Sequence, residues 1–476
     1  MTGADGSTAT RRFALAAIGS VVLAGCATFS PDGGFETADR MAKERLGREA
    51  KWLRTPSEES AAREQVKTLL AKPLTVDDAV QVALLNNRSL QAAYAELGIV
   101  EADLVQAGRI GNPVFGYLNV RGDGDFKIER FLTFNVFQLL TMPLALKIEQ
   151  RRFDRIKLAV AAEMLNVAAE TRRTYFAAVA AQESAKYFAQ VQEAAEASAE
   201  LARRMQGAGN FSPLQRAREQ AFYAESAAQL ARARQAAVAE RERLIRLLGL
   251  WGDDLAFQLP ERLPDLPPGA ATLRDAEATA MTTRLDIQAS RRELDAVAES
   301  LGLTRATRFI NALELGAAQV REPGAVMDGY DIRVEIPIFD WGGARVARAE
   351  SVYMQAANRT AATAINARSE VREAYGSYRI AYDLAQFYRT EIVPLRKRIA
   401  EENLLRYNGM LIGVFELLAD TREQIAAVNA SIEAQRDFWI ADADLQAAQN
   451  GAVAGLGRIA GRPPAVPLAA DERLMH

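Results

Sequence analysis

Two residue types that carry much of protein chemistry occur once each in these 476 residues, as Cys26 and His476. One cysteine cannot close a disulfide within the chain. One terminal histidine cannot build a zinc site, which wants three or four clustered ligands. It also leaves general acid–base work to carboxylates alone. The adjacent carboxylates Asp77-Asp78 and Glu401-Glu402 fall in helical patterns and read as solvated faces. The run Gly455-Leu456-Gly457-Arg458-Ile459-Ala460-Gly461 has the glycines of a dinucleotide loop, but it follows a helical pattern, ends on the wrong spacing and runs into Pro463-Pro464. No phosphate loop, nucleophile elbow or metalloprotease helix is present. We therefore assign no catalytic residue, no metal site and no enzymatic activity, and the one reactive side chain left to explain is the Cys26 thiol.

Cys26 sits where a lipid would be attached. Arg11 and Arg12 precede an apolar stretch from Phe13 to Ala24, broken only by Gly19 and Ser20. That stretch is too short for a spanning helix of ~20 residues and reads as a signal segment. It closes on Leu23-Ala24-Gly25-Cys26, which resembles the bacterial lipobox, in which the cysteine is diacylated and the new amino terminus is acylated as well. Residues 1–25 are then the signal peptide, and 26–72 a lipid-anchored N-terminal segment. Several acyl chains hold a protein on a membrane where one is marginal. Position 27 is Ala, not the Asp that retains many such lipoproteins in the inner membrane, so the outer membrane is favoured. The covalent lipid on Cys26 is the only prosthetic group expected.

The elements behind this anchor are doubled. A shift of 197 positions sets Ala79 on Ala276, Ala83 on Ala280 and Leu90 on Ile287, and a similar shift sets Gly209 on Gly409. Each copy reads as a helix (about 75–108, then 273–306), two short alternating segments, a very long helix (144–206, then 344–408), a turn and a second long helix (214–249, then 414–450). The longest would reach roughly 95 Å at ~1.5 Å per residue. Alanine-rich composition with 7% aromatics suits long, closely packed helices. Charges recur too often for membrane helices, and 3-4 spacings such as Tyr375, Tyr378, Tyr382 suit coiled-coil seams. Lys+Arg 58 against Asp+Glu 61 leaves no basic field for nucleic acid.

The alternating segments point to a membrane. In 330–338, Tyr330, Ile332, Val334, Ile336 and Ile338 share one strand face, and Asp331, Arg333 and Glu335 the other. In 128–137, Ile128, Leu132, Phe134 and Val136 oppose Glu129, Thr133 and Asn135, with Arg130 breaking the apolar face near one end. Segments 113–121 and 309–317 are weaker versions. The pattern suits a soluble sheet with one wet face or transmembrane strands; a lipid anchor in the outer membrane favours the second, because closed barrels span there. Four strands cannot close a pore, since about eight is the smallest barrel, so several chains must share one. The loops Gly122-Asp123-Gly124-Asp125 and Pro323-Gly324 to Gly329 then face outside.

These features together resemble the TolC-like outer-membrane efflux proteins, in their lipoprotein branch, over about 73–455. The lipobox, the opening Leu74-Thr75-Val76 to Asn86-Asn87, and Ile336-Pro337-Ile338-Phe339-Asp340-Trp341-Gly342-Gly343 carry the resemblance. In that last motif Pro337 ends ladder pairing, and Gly342 and Gly343 permit a sharp turn into the helix. Ala208-Gly209-Asn210-Phe211-Ser212-Pro213-Leu214 and Arg406-Tyr407-Asn408-Gly409 resemble the two helix-tip turns. The first copy departs from the pattern: Gln138-Leu139-Leu140-Thr141-Met142-Pro143 follows its second strand.

The resemblance implies a mainly α fold with a small β part. It has two tandem repeats: 73–260, with strands about 113–121 and 128–141, and 270–455, with strands about 309–320 and 329–339. Residues 456–476 are a flexible tail. It implies a homotrimer whose chains give four strands each to a 12-stranded outer-membrane barrel, continued by a periplasmic helical tunnel. The implied partners are a periplasmic adaptor, an inner-membrane pump of the RND type and outer-membrane lipids, with small molecules or metal ions passing outward. Counting from Tyr407, the first gate acid falls on Glu416 and the second on Ala419, with Asp420 next door; a latch position falls on Ile412. Glu416 also suits the first turn of a helix simply through the helix dipole. Gly409 and Gly413 belong to the reversal between helices, as Gly209 and Pro213 do in the first copy. A protein-secretion duct fits the same fold. A non-conducting lipid-anchored coiled-coil scaffold leaves the alternating strands without a role.

Overall fold

The computed structural model describes residues 28–451, apart from 123–124, 273–275 and 310–311. Cys26, the signal segment, the tail 456–476 and His476 lie outside the described residues. An N-terminal arm carries α1 (Glu36–Leu46) and α2 (Pro56–Leu70). Then come α3 (Val76–Asn86), α4 (Arg88–Ala107), β1 (Val114–Gly122), β2 (Asp125–Asn135), α5 (Val136–Gly207) and α6 (Pro213–Leu248). The order then recurs: α7 (Ala276–Thr283), α8 (Leu285–Ala306), β3 (Leu313–Glu322), β4 (Ala325–Val334), α9 (Gly343–Phe387), a π-helical turn (Tyr388–Ile392), α10 (Val393–Asn408) and α11 (Val414–Asn450). The chain is mainly helical, with long helices and β-hairpins. The 72 residues of α5 reach about 108 Å.

The core sits where the short helices pack on the middle of the long ones. Leu84, Leu90, Tyr94 and Leu97 of α3 and α4 meet Phe153, Val160, Met164 and Leu165 of α5, with Ala38 and Ala42 of α1 closing the layer. A second cluster joins Leu85, Tyr175, Val179 and Leu244, and a third joins Tyr378, Tyr382 and Phe438 around Leu266. Alanines at the crossings let backbones approach, and aromatics fill what remains. Burial raises the Tyr94 and Tyr175 phenols above their ordinary value; the Tyr175 hydroxyl donates to the Leu74 carbonyl at 2.8 Å.

Several boundaries differ from the sequence expectation, each for a local reason. The opening helices are each split in two, at Asn87 and at Arg284. The second strand stops at Asn135, six residues short of 141, because the Asn135 side chain caps α5 by accepting from the Gln138 amide at 2.9 Å. Helix α5 therefore starts at Val136 and carries Pro143 inside it. The fourth strand is Ala325–Val334, not 329–339, because Pro323 and Gly324 (φ +83) complete the hairpin turn alone. The third strand is shifted likewise, to Leu313–Glu322. The stretch 344–408 is interrupted by the π turn just before Pro394, which has no N–H to give and whose ring crowds the preceding turn.

Candidate functional site: sheet wall and helix tips

The four strands form one antiparallel meander in the order β1-β2-β3-β4, so β1 and β4 each keep an edge with no partner among the described residues. Register sorts the faces. Three successive rows on one face are wholly apolar: Leu313 with Val334; Phe134, Leu315 and Ile332; then Phe115, Leu132, Ala317 and Tyr330. Phe115, Leu132, Phe134, Leu315, Tyr330, Ile332 and Val334 are all exposed. Behind these rows the other face is mixed: Arg333 pairs with Asp331 at 3.0 Å, lies 3.8 Å from Glu314 and covers the Phe131 ring at 5.4 Å, with Val114 exposed on the same side.

The apolar surface continues past the strand through Ile336, Ile338, Phe339 and Trp341, all exposed, with Phe309 set edge-on to Trp341 at 6.2 Å. From Tyr330 to Val334 the strand covers ~13 Å, or roughly 10 Å along a barrel axis at ~40° tilt; beyond it the chain turns, the Ile338 amide donating to the Ile336 carbonyl at 2.9 Å. Aromatic residues mark both margins: Tyr117 and Tyr330 above, and Phe309, Phe339 and Trp341 below. Pro337 lies beyond the end of β4. The Asp340 carboxylate accepts from the Gly342 amide at 2.8 Å, and Gly342 (φ +72) turns the chain into α9, which opens at Gly343.

The opposite end of the molecule carries two helix reversals. In the first, the Gly209 amide donates to the Gln206 carbonyl and the Asn210 amide to the Met205 carbonyl, with Gly209 at φ +80. In the second, the Met410 amide donates to the Tyr407 carbonyl and the Leu411 amide to the Arg406 carbonyl, with Met410 at φ +59. Both are Schellman turns. The structural counterpart of Gly209 is thus Met410; the expected match of Gly209 with Gly409 is out by one residue, and Gly409 has an ordinary negative φ of −80. Arg422 stacks on Phe222 at 5.0 Å, one helix beyond each reversal, which ties the two tips to the same end.

Beyond the first turn, Ser212 caps α6 and forms a reciprocal box with Gln215, with Pro213 in the first turn. Beyond the second, Gly413 occupies the cap position without a side chain to offer. Near the first tip, hydrogen bonds from Arg203 and Arg204 hold the Glu200 carboxyl down to about 2.

The sequence-assigned tip residues fall as follows. Tyr407 is half-buried at the end of α10. Glu416 is exposed in the first turn of α11, its amide donating to the Gly413 carbonyl at 3.1 Å. Asp420 is half-buried and accepts from Asn403, so it straps α10 to α11. Sequence reasoning missed Met410 and the two helix breaks, although Asn87 and Arg284 stand 197 positions apart (284 − 87), the same shift that relates the copies. Among the described residues, no group of three or more His, Cys, Asp or Glu is placed to hold a metal ion, and no helix is long and apolar enough to cross a membrane.

No protein-family model matches the chain. The cobalt-zinc-cadmium resistance protein CzcC of Cupriavidus metallidurans is 26% identical over 287 residues, which cover 57% of this chain and 64% of that protein. The matched stretch is thus a little under two thirds of the relative's length. The CmeC outer membrane channel of Campylobacter jejuni superposes with a TM-score of 0.69 at 20% identity, over 81% of this chain and 88% of that one. The MtrE outer membrane channel of Neisseria gonorrhoeae, in its open state, gives 0.64 at 17% identity, over 79% and 89%. The chain has the fold of these outer-membrane channels, which is the TolC-like fold that the sequence resembles.

Proposed function

We propose that the protein is the outer-membrane channel of a tripartite efflux system. Three copies close one barrel, three times four strands, with β1 of one copy pairing β4 of the next. The observation that carries this reading is a sheet with two free edges and an exposed face that is apolar through three consecutive rows. A soluble protein gains nothing by showing that face to water, whereas bilayer contact and edge pairing remove both liabilities. The helices then form a periplasmic tunnel whose tips meet a periplasmic adaptor and an RND-type inner-membrane pump. The work is conduction, without covalent chemistry.

The relative's name, a cobalt-zinc-cadmium resistance protein, supports metal ions among the solutes. With one His and one Cys in the chain, such ions would be conducted and not chelated. The Cys26 lipid would add an anchor to the barrel; Cys26→Ser should abolish incorporation of labelled palmitate while the barrel keeps the protein in the membrane, and incorporation that persists removes the lipid from Cys26.

Purified full-length protein in planar bilayers should give discrete conductance steps from heat-resistant trimers. Silence from well-folded trimers would favour the lipid-anchored scaffold. A deletion strain sensitive to cobalt, zinc or cadmium would support ion efflux, and loss of a secreted protein would support the secretion duct instead. Glu416 is the leading gate residue, since three such carboxylates around one axis attract cations. Glu416→Ala should lower cation over anion selectivity by about two- to threefold in single-channel recordings; unchanged selectivity removes that role.

A further inference from the structure

The apolar face of the sheet does not run to its hairpin end. Above the Tyr330 row the same face turns polar: Tyr117, Arg130, Gln319 and Asp328 form the next row, and Asn119, Ile128, Arg321 and Val326 the one beyond, with Arg121 opposite Phe126 at the rim. Among the described residues three arginines stand here against one carboxylate, and that carboxylate is engaged, because Gln319 donates to Asp328 at 2.9 Å. Among the described residues Arg130 reaches only the neutral Gln319 carboxamide, at 3.4 Å. Arg121 and Arg321 are exposed and take no ion pair with a described residue.

The reverse face at this height holds the local acids, Glu129 paired with Lys127 at 2.7 Å, and Glu322. The arginines therefore gather on the outward face with Asp328, while Lys127 stays on the reverse face beside Glu129. Diagonal neighbours on adjacent strands such as Arg130 and Arg321 have Cα atoms roughly 7–8 Å apart, and Arg121, two strands across and one row further on, lies ~12 Å from Arg321. Forked guanidinium groups at that spacing match phosphate oxygens bidentately.

We propose that this basic rim binds the phosphate groups of a phosphorylated glycolipid in the outer leaflet. The inference rests on the reading of the sheet as a barrel wall, which puts the rim at the upper edge of the apolar band, level with outer-leaflet headgroups. The apolar rows below meet the acyl chains of the same lipid, so one molecule satisfies both halves of the face. Arg130 and Arg321 supply the principal contacts, and Arg121 extends them toward the neighbouring copy.

The test uses full-length protein in phosphatidylcholine nanodiscs, titrated with bis-phosphorylated lipid A, its mono-phosphorylated form and phosphatidylglycerol. Binding is read by native mass spectrometry and by the shift in melting temperature. Bis-phosphorylated lipid A should bind tightest and the mono-phosphorylated form more weakly. The double change Arg130→Gln with Arg321→Gln should weaken binding at least about tenfold. The double change Arg130→Lys with Arg321→Lys keeps the charge but not the fork and should recover only part of the loss, which separates the charge contribution from the bidentate one; melting temperature without lipid shows that both double variants fold. Equal binding of the two lipid A forms, equal binding of phosphatidylglycerol, or unchanged affinity in the glutamine variant overturns the proposal. Conductance of the same preparations separates the failures: protein that conducts without preferring lipid A sinks this inference alone, and protein that never inserts sinks the wall reading with it.

Discussion

The two halves of this chain reach the same geometry with different chemistry. In the first half the break between α3 and α4 is held by Asn87. Its side-chain amide donates to the Leu247 carbonyl at 2.8 Å, its oxygen accepts from the Leu90 amide at 2.9 Å, and Asn86 donates to the Leu248 and Gly249 carbonyls. In the second half the break between α7 and α8 is held by Arg284. Its guanidinium donates to the Ala448 carbonyl at 2.9 Å and pairs with Asp286 at 2.6 Å and Glu370 at 2.7 Å. Both devices satisfy carbonyls at the end of the last long helix and anchor that helix to the start of the unit. Gly249 (φ +67) and Gly451 (φ +73) stop those helices beside the two breaks, and a Cβ there would meet the Asn86 carbonyl at 2.6 Å or an Asp286 oxygen at 2.5 Å.

The second half thus uses a buried ion cluster where the first uses neutral amides. Burial pulls the Arg284 guanidinium down, but hydrogen bonds and charge from Asp286 and Glu370 outweigh it and leave the group raised. The N-terminal arm ties to both breaks: Arg45 donates to Asn450 at 2.8 Å and to the Thr283 carbonyl at 2.7 Å in the second half, and Glu59 pairs with Arg88 at 2.6 Å while the Leu53 amide donates to Gln91 at 2.9 Å in the first. At the tips the asymmetry reverses. The first turn has a glycine at its left-handed position and a full capping box, whereas the second has a methionine there, 93% exposed, and no side-chain cap. A half fixed firmly at its base and loosely at its tip suits the proposed channel, whose tip would have to open.

The largest test of this contrast is at the breaks. Arg284→Ala leaves a nearly buried carboxylate and a helix-end carbonyl without their partner, and should cost about 3–5 kcal/mol. Asn87→Ala loses a cap and one buried hydrogen bond and should cost about 2 kcal/mol. Denaturant unfolding followed by circular dichroism compares them; equal costs would erase the distinction between ionic and neutral anchors. The next effect is at the reversals. Gly209→Ala should destabilise the first tip by about 1 kcal/mol, and Met410→Gly should stabilise the second by about the same amount. Amide hydrogen exchange at Asn210 and Leu411 reads each turn separately. The smallest is the missing cap: Gly413→Ser should slow exchange at the start of α11 by a few tenths of a kcal/mol, against a loss of about 1 kcal/mol for Ser212→Ala. If exchange at the second tip is already as slow as at the first, the loose-tip account fails.

Helices and strands were legible because their signals are local. Period two in 330–334 and the alanine-rich helical stretches survive any packing. The boundaries that moved were those decided by one side chain or one bond: Asn135 starting α5 early, Pro394 forcing a π turn, and Pro323-Gly324 closing a hairpin in two residues. The candidate gate was half legible. Glu416 is exposed where its spacing from Tyr407 placed it, but Asp420 is tied to Asn403 on the neighbouring helix, a pairing that spans 17 positions and leaves no mark on a single-helix pattern.

By itself the sequence determined the doubling, the long helices and the face alternation of the strands, because each depends on residues a few positions apart. The tertiary structure decided which residues share a row of the sheet. Leu132 and Ala317 are 185 positions apart (317 − 132), and only their register makes the apolar rows continuous and sets Arg130 beside Gln319. It also decided that Met410, and not Gly409, takes the left-handed position. A turn is fixed by where the helix ends, and packing along the whole helix settles that end.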